Sequence, residues 1–418
     1  MKYRSISPLL LIGLLLLTTR VSAESQPAPS IEELWRIIQA QQAEIEALKQ
    51  QQAQTEQKAT DADEKAEAAV VAVEESASSS SGTGNWADRT TIGGYGEVHY
   101  NNLDGSGGED DKKEIDLHRF VLFLGHEFTD DIRFFSEIEY EHGVAGEDQV
   151  GEVEIEQAYV EFDLNDRHLA RTGVALLPVG IINETHEPTT FYGVERNPVE
   201  KDIIPATWWA GGIGLHGQIA PGWGYDVVAH EGLKVPGMND PDFNNYKPRG
   251  GRQKSGKADA EDLAATARLK WTGLPGTEIA GSIQYQSDIT QSEDPTAGSA
   301  WLYELHTVIE RGPFGLRALY ARWDLDGSGP ESIGADEQMG YYIEPSYRFF
   351  NDKLGIFARY NQWDNAAGNS SDSEKQQWDI GLNWWPHEQV VLKADYQFQD
   401  NDDGREQDGF NLGVGYEF

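Results

Sequence analysis

Cysteine is absent from all 418 residues, which removes disulfides, thiolate metal sites and cysteine nucleophiles in one step. Basic side chains are scarce as well: 33 Lys and Arg stand against 71 Asp and Glu, a formal net charge of -38. A chain this acidic has no sequence-independent grip on a phosphate backbone, so nucleic acid is excluded as a partner. Nor does the sequence contain 18 consecutive apolar residues, the length a membrane-spanning helix requires. What the chain does have is aromatic: 15 Phe, 17 Tyr and 12 Trp, too many for a disordered polymer.

The N-terminus carries an address. Lys2 and Arg4 precede the apolar run Leu9 to Leu17, and Val21-Ser22-Ala23 ends in the small residues of a signal peptidase site. Nine residues make only about 14 Å of helix against about 30 Å of hydrocarbon, so residues 1–23 read as a cleaved leader and not an anchor. From Ile31 the composition turns to Gln, Glu and Ala, with no Gly or Pro before Gly82. Taking Ile31 as heptad position a places Ile38, Ile45, Ala59, Ala66 and Val73 at later a positions and Leu34, Leu48, Ala62 and Ala69 at d. That predicts a coiled-coil helix over residues 31–75; beyond about Gln50 a solvated Gln/Ala spacer competes with it. Residues 76–89 read as a linker.

From Thr90 onward the period becomes 2. Phe410, Leu412, Val414, Tyr416 and Phe418 alternate with Asn411, Gly413, Gly415 and Glu417, and Leu392, Ala394, Tyr396 and Phe398 with Lys393, Asp395, Gln397 and Gln399. Turn-forming pairs recur at Asp130-Asp131, Asn165-Asp166, Pro221-Gly222, Pro275-Gly276, Gly312-Pro313, Asn351-Asp352 and Pro386-His387. Between them lie eight longer polar segments, near 103–112, 144–152, 181–208, 234–258, 289–299, 326–336, 364–374 and 400–406. Seven turns and eight loops join sixteen strands. The expectation is an all-β transmembrane barrel of about 16 antiparallel strands over residues 90–418, preceded by the helical coiled coil, with both ends on the short-turn, periplasmic side. A soluble sandwich also alternates, but here the polar rows carry charge deep within strands. Arg or Lys on a lipid-facing row costs about 2–4 kcal/mol at mid-membrane, so those rows face a wet lumen.

The terminal Phe418, the segments Gly93-Gly94-Tyr95-Gly96-Glu97 and His118-Arg119-Phe120, and the stretch from Ile182-Asn183-Glu184-Thr185-His186-Glu187-Pro188 to Glu195-Arg196-Asn197-Pro198 resemble the phosphate-selective porin O and P family of bacterial outer-membrane porins. The heptads are similar to those ahead of some sugar and dicarboxylate porins. The resemblance implies a passive outer-membrane channel, surrounded by outer-membrane lipid and assembled as a homotrimer, for small hydrophilic or ionic solutes, phosphate or other anions among them. A tether or adhesion barrel with a plugged lumen is the competing class.

Alternation places Arg119, Arg133, Glu137, Glu139, Arg171, Arg268, Lys270, Glu304, Glu344, Arg348, Arg359 and Lys393 on the lumen wall. The unusually long third segment follows the fifth strand, where porins of this size fold a loop inward. Its Glu184, His186, Glu187, Glu195, Arg196, Glu200 and Lys201 are the candidates for a charged constriction. Arg119, Arg133 and Arg359 are expected to form a local basic track, set against a barrel with 25 basic and 58 acidic residues. No His-Glu-x-x-His, Gly-x-Ser-x-Gly or phosphate-cradling Gly loop occurs, and the Asp/Gly runs at Asp104 and Asp324 lack a full calcium-loop ligand pattern. Neither an enzyme nor a metal or cofactor follows from these motifs.

Overall fold

The computed structural model describes residues 86–143, 151–370 and 373–418. The leader and coiled-coil helix lie outside the described residues, as does the linker apart from a single 3-10 turn, Trp86–Arg89.

Sixteen antiparallel strands close a barrel. In chain order they are β1 (Thr90–Ser106), β2 (Lys112–Thr129), β3 (Ile132–Glu141), β4 (Val153–Asn165), β5 (His168–Leu176), β6 (Trp209–Ala220), β7 (Trp223–His230) and β8 (Ala264–Leu274). They continue as β9 (Thr277–Gln286), β10 (Ala300–Arg311), β11 (Phe314–Leu325), β12 (Glu337–Phe349), β13 (Leu354–Asp364), β14 (Lys375–His387), β15 (Val390–Asn401) and β16 (Glu406–Glu417). Each strand pairs with its sequence neighbours, and β1 closes on β16 from Tyr95 opposite Glu417 to Ser106 opposite Glu406. Closure leaves no unpaired edge, which is what lets a sheet sit in hydrocarbon.

The alternation read from the sequence is the alternation of the wall. On β10, Trp301, Tyr303 and Leu305 are exposed while Leu302, Glu304 and His306 are buried. On β13, Ile356 is exposed whereas Phe357, Arg359 and Asn361 are buried. Outer-face aromatics gather near the short turns (Trp223, Phe314, Phe349, Trp384) and again toward the long loops (Tyr285, Trp301, Tyr341, Trp378, Phe398), two girdles of the kind expected at membrane interfaces.

Five of the seven tight turns stand where the turn residues place them, and the one expected at Asn165-Asp166 sits one residue later, at 166–167. At Gly276, φ is 63° and a Cβ would meet the Glu310 carbonyl at 2.1 Å, so glycine is required there. The seventh is shifted: β14 runs through Pro386 and His387, and the turn is 388–389. Pro386 is tolerated because the β14–β15 ladder is already interrupted between Trp384 and His387, so the missing N–H costs no pairing.

The apolar core lies inside the barrel. Residues of the third long loop (177–208: Leu177, Val179, Ile181, Val199, Ile203, Ile204, Trp208) and the fourth (231–263: Leu233, Val235, Tyr246) pack against inner-face Leu302, Leu319, Ala321, Trp323, Tyr342 and Trp363. The inner rows of β10 and β11 are therefore apolar toward the long loops, an exception to the polar-lumen pattern made by loops that fold inward.

Candidate functional site

The third loop crosses the lumen and is held by its backbone. Its ends are tied by Asn183, whose Nδ2 donates to the carbonyls of Leu177 (2.8 Å) and Trp208 (2.9 Å) while its Oδ1 accepts from Trp208 N (2.6 Å). From there the chain visits opposite walls. Ser282 of β9 donates to the Pro178 carbonyl, Arg119 of β2 to that of His186 (2.6 Å), and Arg317 of β11 to that of Thr190 (2.7 Å). Asn383 of β14 donates to Phe191 O and Arg359 of β13 to Tyr192 O (3.2 Å), while Val194 N donates to Asp395 of β15. Asn101 of β1 then donates to Glu195.

A short helix α1 (Pro198–Asp202) follows, capped by Asn197 and opened by Pro198. Its Glu200 is the knot of the loop. One carboxylate oxygen accepts from the backbone N–H groups of Ile181 (2.8 Å) and Ile182 (2.6 Å), and the other from Tyr342 Oη (2.7 Å) and Asn197. Burial raises the Glu200 carboxyl above its ordinary value, and these donors only partly offset the rise. Glu195 shows the reverse balance. Burial works to raise it, but the neighbouring His99 imidazole and Lys112 hold it well below the usual carboxylate range.

All the predicted lumen charges but Arg348 fall into two groups. Arg119, Glu137, Glu139, Glu304, Glu344, Arg359 and Lys393 are all buried. Arg119 pairs with Glu97 (2.6 Å) and Glu139 (3.8 Å), and Arg359 with Glu344 and Asp379 (both 3.1 Å). Glu304 is paired to His306 (2.6 Å), and Lys393 Nζ sits 3.5 Å from the Phe191 ring centroid. The inward loop packs on Arg119, Glu137, Arg359 and Lys393. The second group is more open except at Arg268. Arg133 is clamped by Glu161 (2.7 Å) and Asp163 (2.8 Å), Arg171 shares Glu161 (2.7 Å), Lys270 is 3.9 Å from Glu278, and buried Arg268 joins Asp226 (2.7 Å) and Glu184.

The expected track of Arg119, Arg133 and Arg359 is thus corrected: each arginine is neutralised by carboxylates, and two of them anchor the loop backbone. Within the loop, Arg196 donates to Thr207 and Lys201 is exposed; Glu187 is half-buried.

Two arginines of the wall differ from these; Lys393 too has no ion-pair carboxylate, but its Nζ is buried against the Phe191 ring. Arg317 and Arg348 have no carboxylate at ion-pair distance among the described residues. They line one cavity of about 130 Å³ together with Tyr192, Glu310 and Asp352, near the 312–313 turn. Arg348 also stacks over Trp385, 4.6 Å to the ring centroid. Alternation from Arg348 did not reveal Arg317, because the β11 inner row of Leu319, Ala321, Trp323 and Leu325 is apolar and looks like an outer row. Glu156, Glu161, Asp163, Asp226 and Asp379 were missed as well. For Glu156 a signal exists: the alternation Val153, Ile155 slips by one to Ala158, Val160, Phe162, which marks a bulge.

Comparison with known proteins agrees with this architecture. The family profile described as phosphate-selective porin O and P matches residues 91–416. An uncharacterised protein of Aquifex aeolicus is 31% identical over 367 residues, 78% of this chain and 80% of that protein. Among solved structures, the outer membrane channel DcaP of Acinetobacter baumannii superimposes with a TM-score of 0.56 at 15% identity, covering 79% of this chain and 97% of the other. The anion-selective porin from Comamonas acidovorans gives 0.55 at 12% identity, covering 79% and 99%. With the barrel closed, its lumen charged and its profile matched over nearly all described residues, the chain belongs to the phosphate-selective porin O and P family and is an outer-membrane porin.

Proposed function

We propose that the channel passes small hydrophilic solutes and ions, anions of phosphate size included, and that the anions are gathered at Arg317 and Arg348 on the short-turn side of the inward loop. The observation that carries this reading is that no carboxylate lies at ion-pair distance from either arginine, although Glu310 and Asp352 also line the cavity and Glu344 stands across from Arg317. Both guanidinium groups line one cavity without an acidic ion-pair partner, whereas the other lumen arginines of the wall are neutralised. A guanidinium fork suits tetrahedral oxyanions because it donates two parallel hydrogen bonds. The first long loop is net acidic, with Asp104, Glu109, Asp110, Asp111 and Glu114 against Lys112 and Lys113, so cations are enriched at the entrance. That field is screened over about 8–10 Å at physiological salt, and charges inside a narrow lumen are screened less.

Phosphate added to chloride-carrying channels in a planar bilayer tests the assignment. It should reduce chloride current in the wild type and lose most of that effect in the double variant Arg317→Ala/Arg348→Ala. Equal block in both would place the anion site elsewhere.

The same reading includes a homotrimer, in keeping with the trimer form described for OmpT of Vibrio cholerae, whose barrel superimposes with a TM-score of 0.51 at 10% identity, covering 79% of this chain and 99% of that one. It also takes residues 1–23 as the leader, 31–75 as the oligomerising helix and 76–89 as the linker to the 90–418 barrel.

A further inference from the structure

Where the inward loop meets β3 and β4, three side chains from three separate segments converge: Glu137, Glu156 and His186. We propose that they bind a divalent transition-metal ion of the zinc class, which staples the loop to the barrel wall.

Spacing is the first argument. His186 Nε2 lies 3.5 Å from Glu137 Oε1 and 3.5 Å from Glu156 Oε2, and the three ligand atoms all fall within 4.8 Å of one another. A charge-assisted N–H···O hydrogen bond closes to about 2.7–2.9 Å. Two ligand atoms each about 2.1 Å from a tetrahedral ion stand about 3.4 Å apart. The observed separation is the second kind.

Satisfaction is the second argument. His186 and Glu156 are 2% and 1% exposed, yet His186 Nε2 and Glu156 Oε2 have no hydrogen-bond partner among the described residues. A buried polar atom left unpaired is costly, and here two such atoms face each other. The other imidazole nitrogen, Nδ1, is 3.0 Å from the Asn183 carbonyl. A proton on Nδ1 donates to that carbonyl and leaves the Nε2 lone pair aimed at two carboxylates, the tautomer that a metal-ligating histidine adopts. Three converging lone pairs repel unless a cation lies among them.

The surroundings hold the carboxylates in place. Glu137 Oε2 accepts from Gln157 Nε2 (2.6 Å) and its Oε1 from Tyr95 Oη (3.3 Å). Glu156 reaches the site through the bulge: Gln157 pairs with Glu137 and Ile155 with Ile138, so Glu156 is the extra residue and it is buried beside Gln157. Bulges re-aim side chains in this manner near functional sites. One imidazole and two carboxylates suit zinc or manganese and not soft ions, and a dication with two carboxylates leaves the group neutral. The cluster Asp116, His118 and His142 near the mouth differs in kind, because its members already hydrogen-bond one another at 2.9 and 3.2 Å.

The test uses the full-length protein extracted without chelator, stripped with EDTA and dialysed, then titrated with Zn²⁺ and read by elemental mass spectrometry. One Zn²⁺ per chain is expected in the wild type, binding at least 100-fold weaker in Glu156→Gln and His186→Gln, and unchanged in Asp116→Asn. Stripping should make the single-channel current of the wild type noisier, and Zn²⁺ should restore it. Wild-type protein that takes up no stoichiometric ion overturns the proposal and leaves His186 as an imidazolium. Uptake undiminished in folded Glu156→Gln overturns it too. Should the variants fail to insert, stripping and reloading the wild type decides alone: a current indifferent to both is a refutation.

Discussion

Removal of the Glu200 carboxylate should release the constriction loop while leaving the barrel intact. In Glu200→Ala the N–H groups of Ile181 and Ile182 and the hydroxyl of Tyr342 lose their acceptor in a site where all are buried. Each unsatisfied donor costs about 1–3 kcal/mol, so the docked loop loses roughly 3 kcal/mol even at the low end. At about 1.4 kcal/mol per factor of ten, that moves the docked-to-released ratio about 150-fold. Glu200→Gln behaves differently. Its amide oxygen can accept from both N–H groups, and its NH₂ can donate to Tyr342 Oη once that hydroxyl turns, so the bond from Asn197 Nδ2 is the one lost. The glutamine variant should therefore cost about 1 kcal/mol, the scale of a single hydrogen bond. Single-channel recording separates the two: the alanine variant should show larger, noisier steps, the glutamine variant near-native ones. Identical traces for both variants would refute the view that acceptor geometry at Glu200 holds the loop.

Trp208 is 1% exposed in the core inside the barrel, and Trp208→Ala should weaken loop packing by about 3–5 kcal/mol, seen as faster hydrogen exchange in residues 199–208 with strand protection unchanged. Asp294 accepts from Tyr246 Oη, Met238 N and Thr296; burial works to raise its carboxyl, but these donors bring it down to about 2. Because the folded value lies below the unfolded one of about 3.9, its contribution is complete above about pH 4 and fades as pH falls toward 2. Exchange in residues 237–246 should accelerate over that window, and Asp294→Asn should abolish the pH dependence. Mass measurement on detergent-purified protein should give a trimer, and deletion of residues 31–75 will show whether the barrel walls alone maintain it.

The barrel was legible because its two constraints are local. Lipid outside and water inside force a period of 2, and tight turns need residues such as Gly276. The inward loop was legible from length and from Pro178, Pro188, Pro198 and Pro205. What the side chains of the wall do was less so, because it depends on where the loop lies. Arg119 and Arg359 share a row type with Arg133, yet loop carbonyls cover them. Arg317 was hidden because the apolar loop core turns its row from polar to apolar. Glu156 required a bulge to be recognised before its direction could be assigned.

The reversal potential of the wild-type channel under a potassium chloride gradient, measured in dilute and in concentrated salt, tests the central claim most directly. An acidic mouth ahead of a local arginine pair predicts a preference for potassium in dilute salt that weakens as salt rises. A strong preference for chloride at every salt concentration would contradict the account, since the field of the lumen would then outweigh that of the mouth throughout.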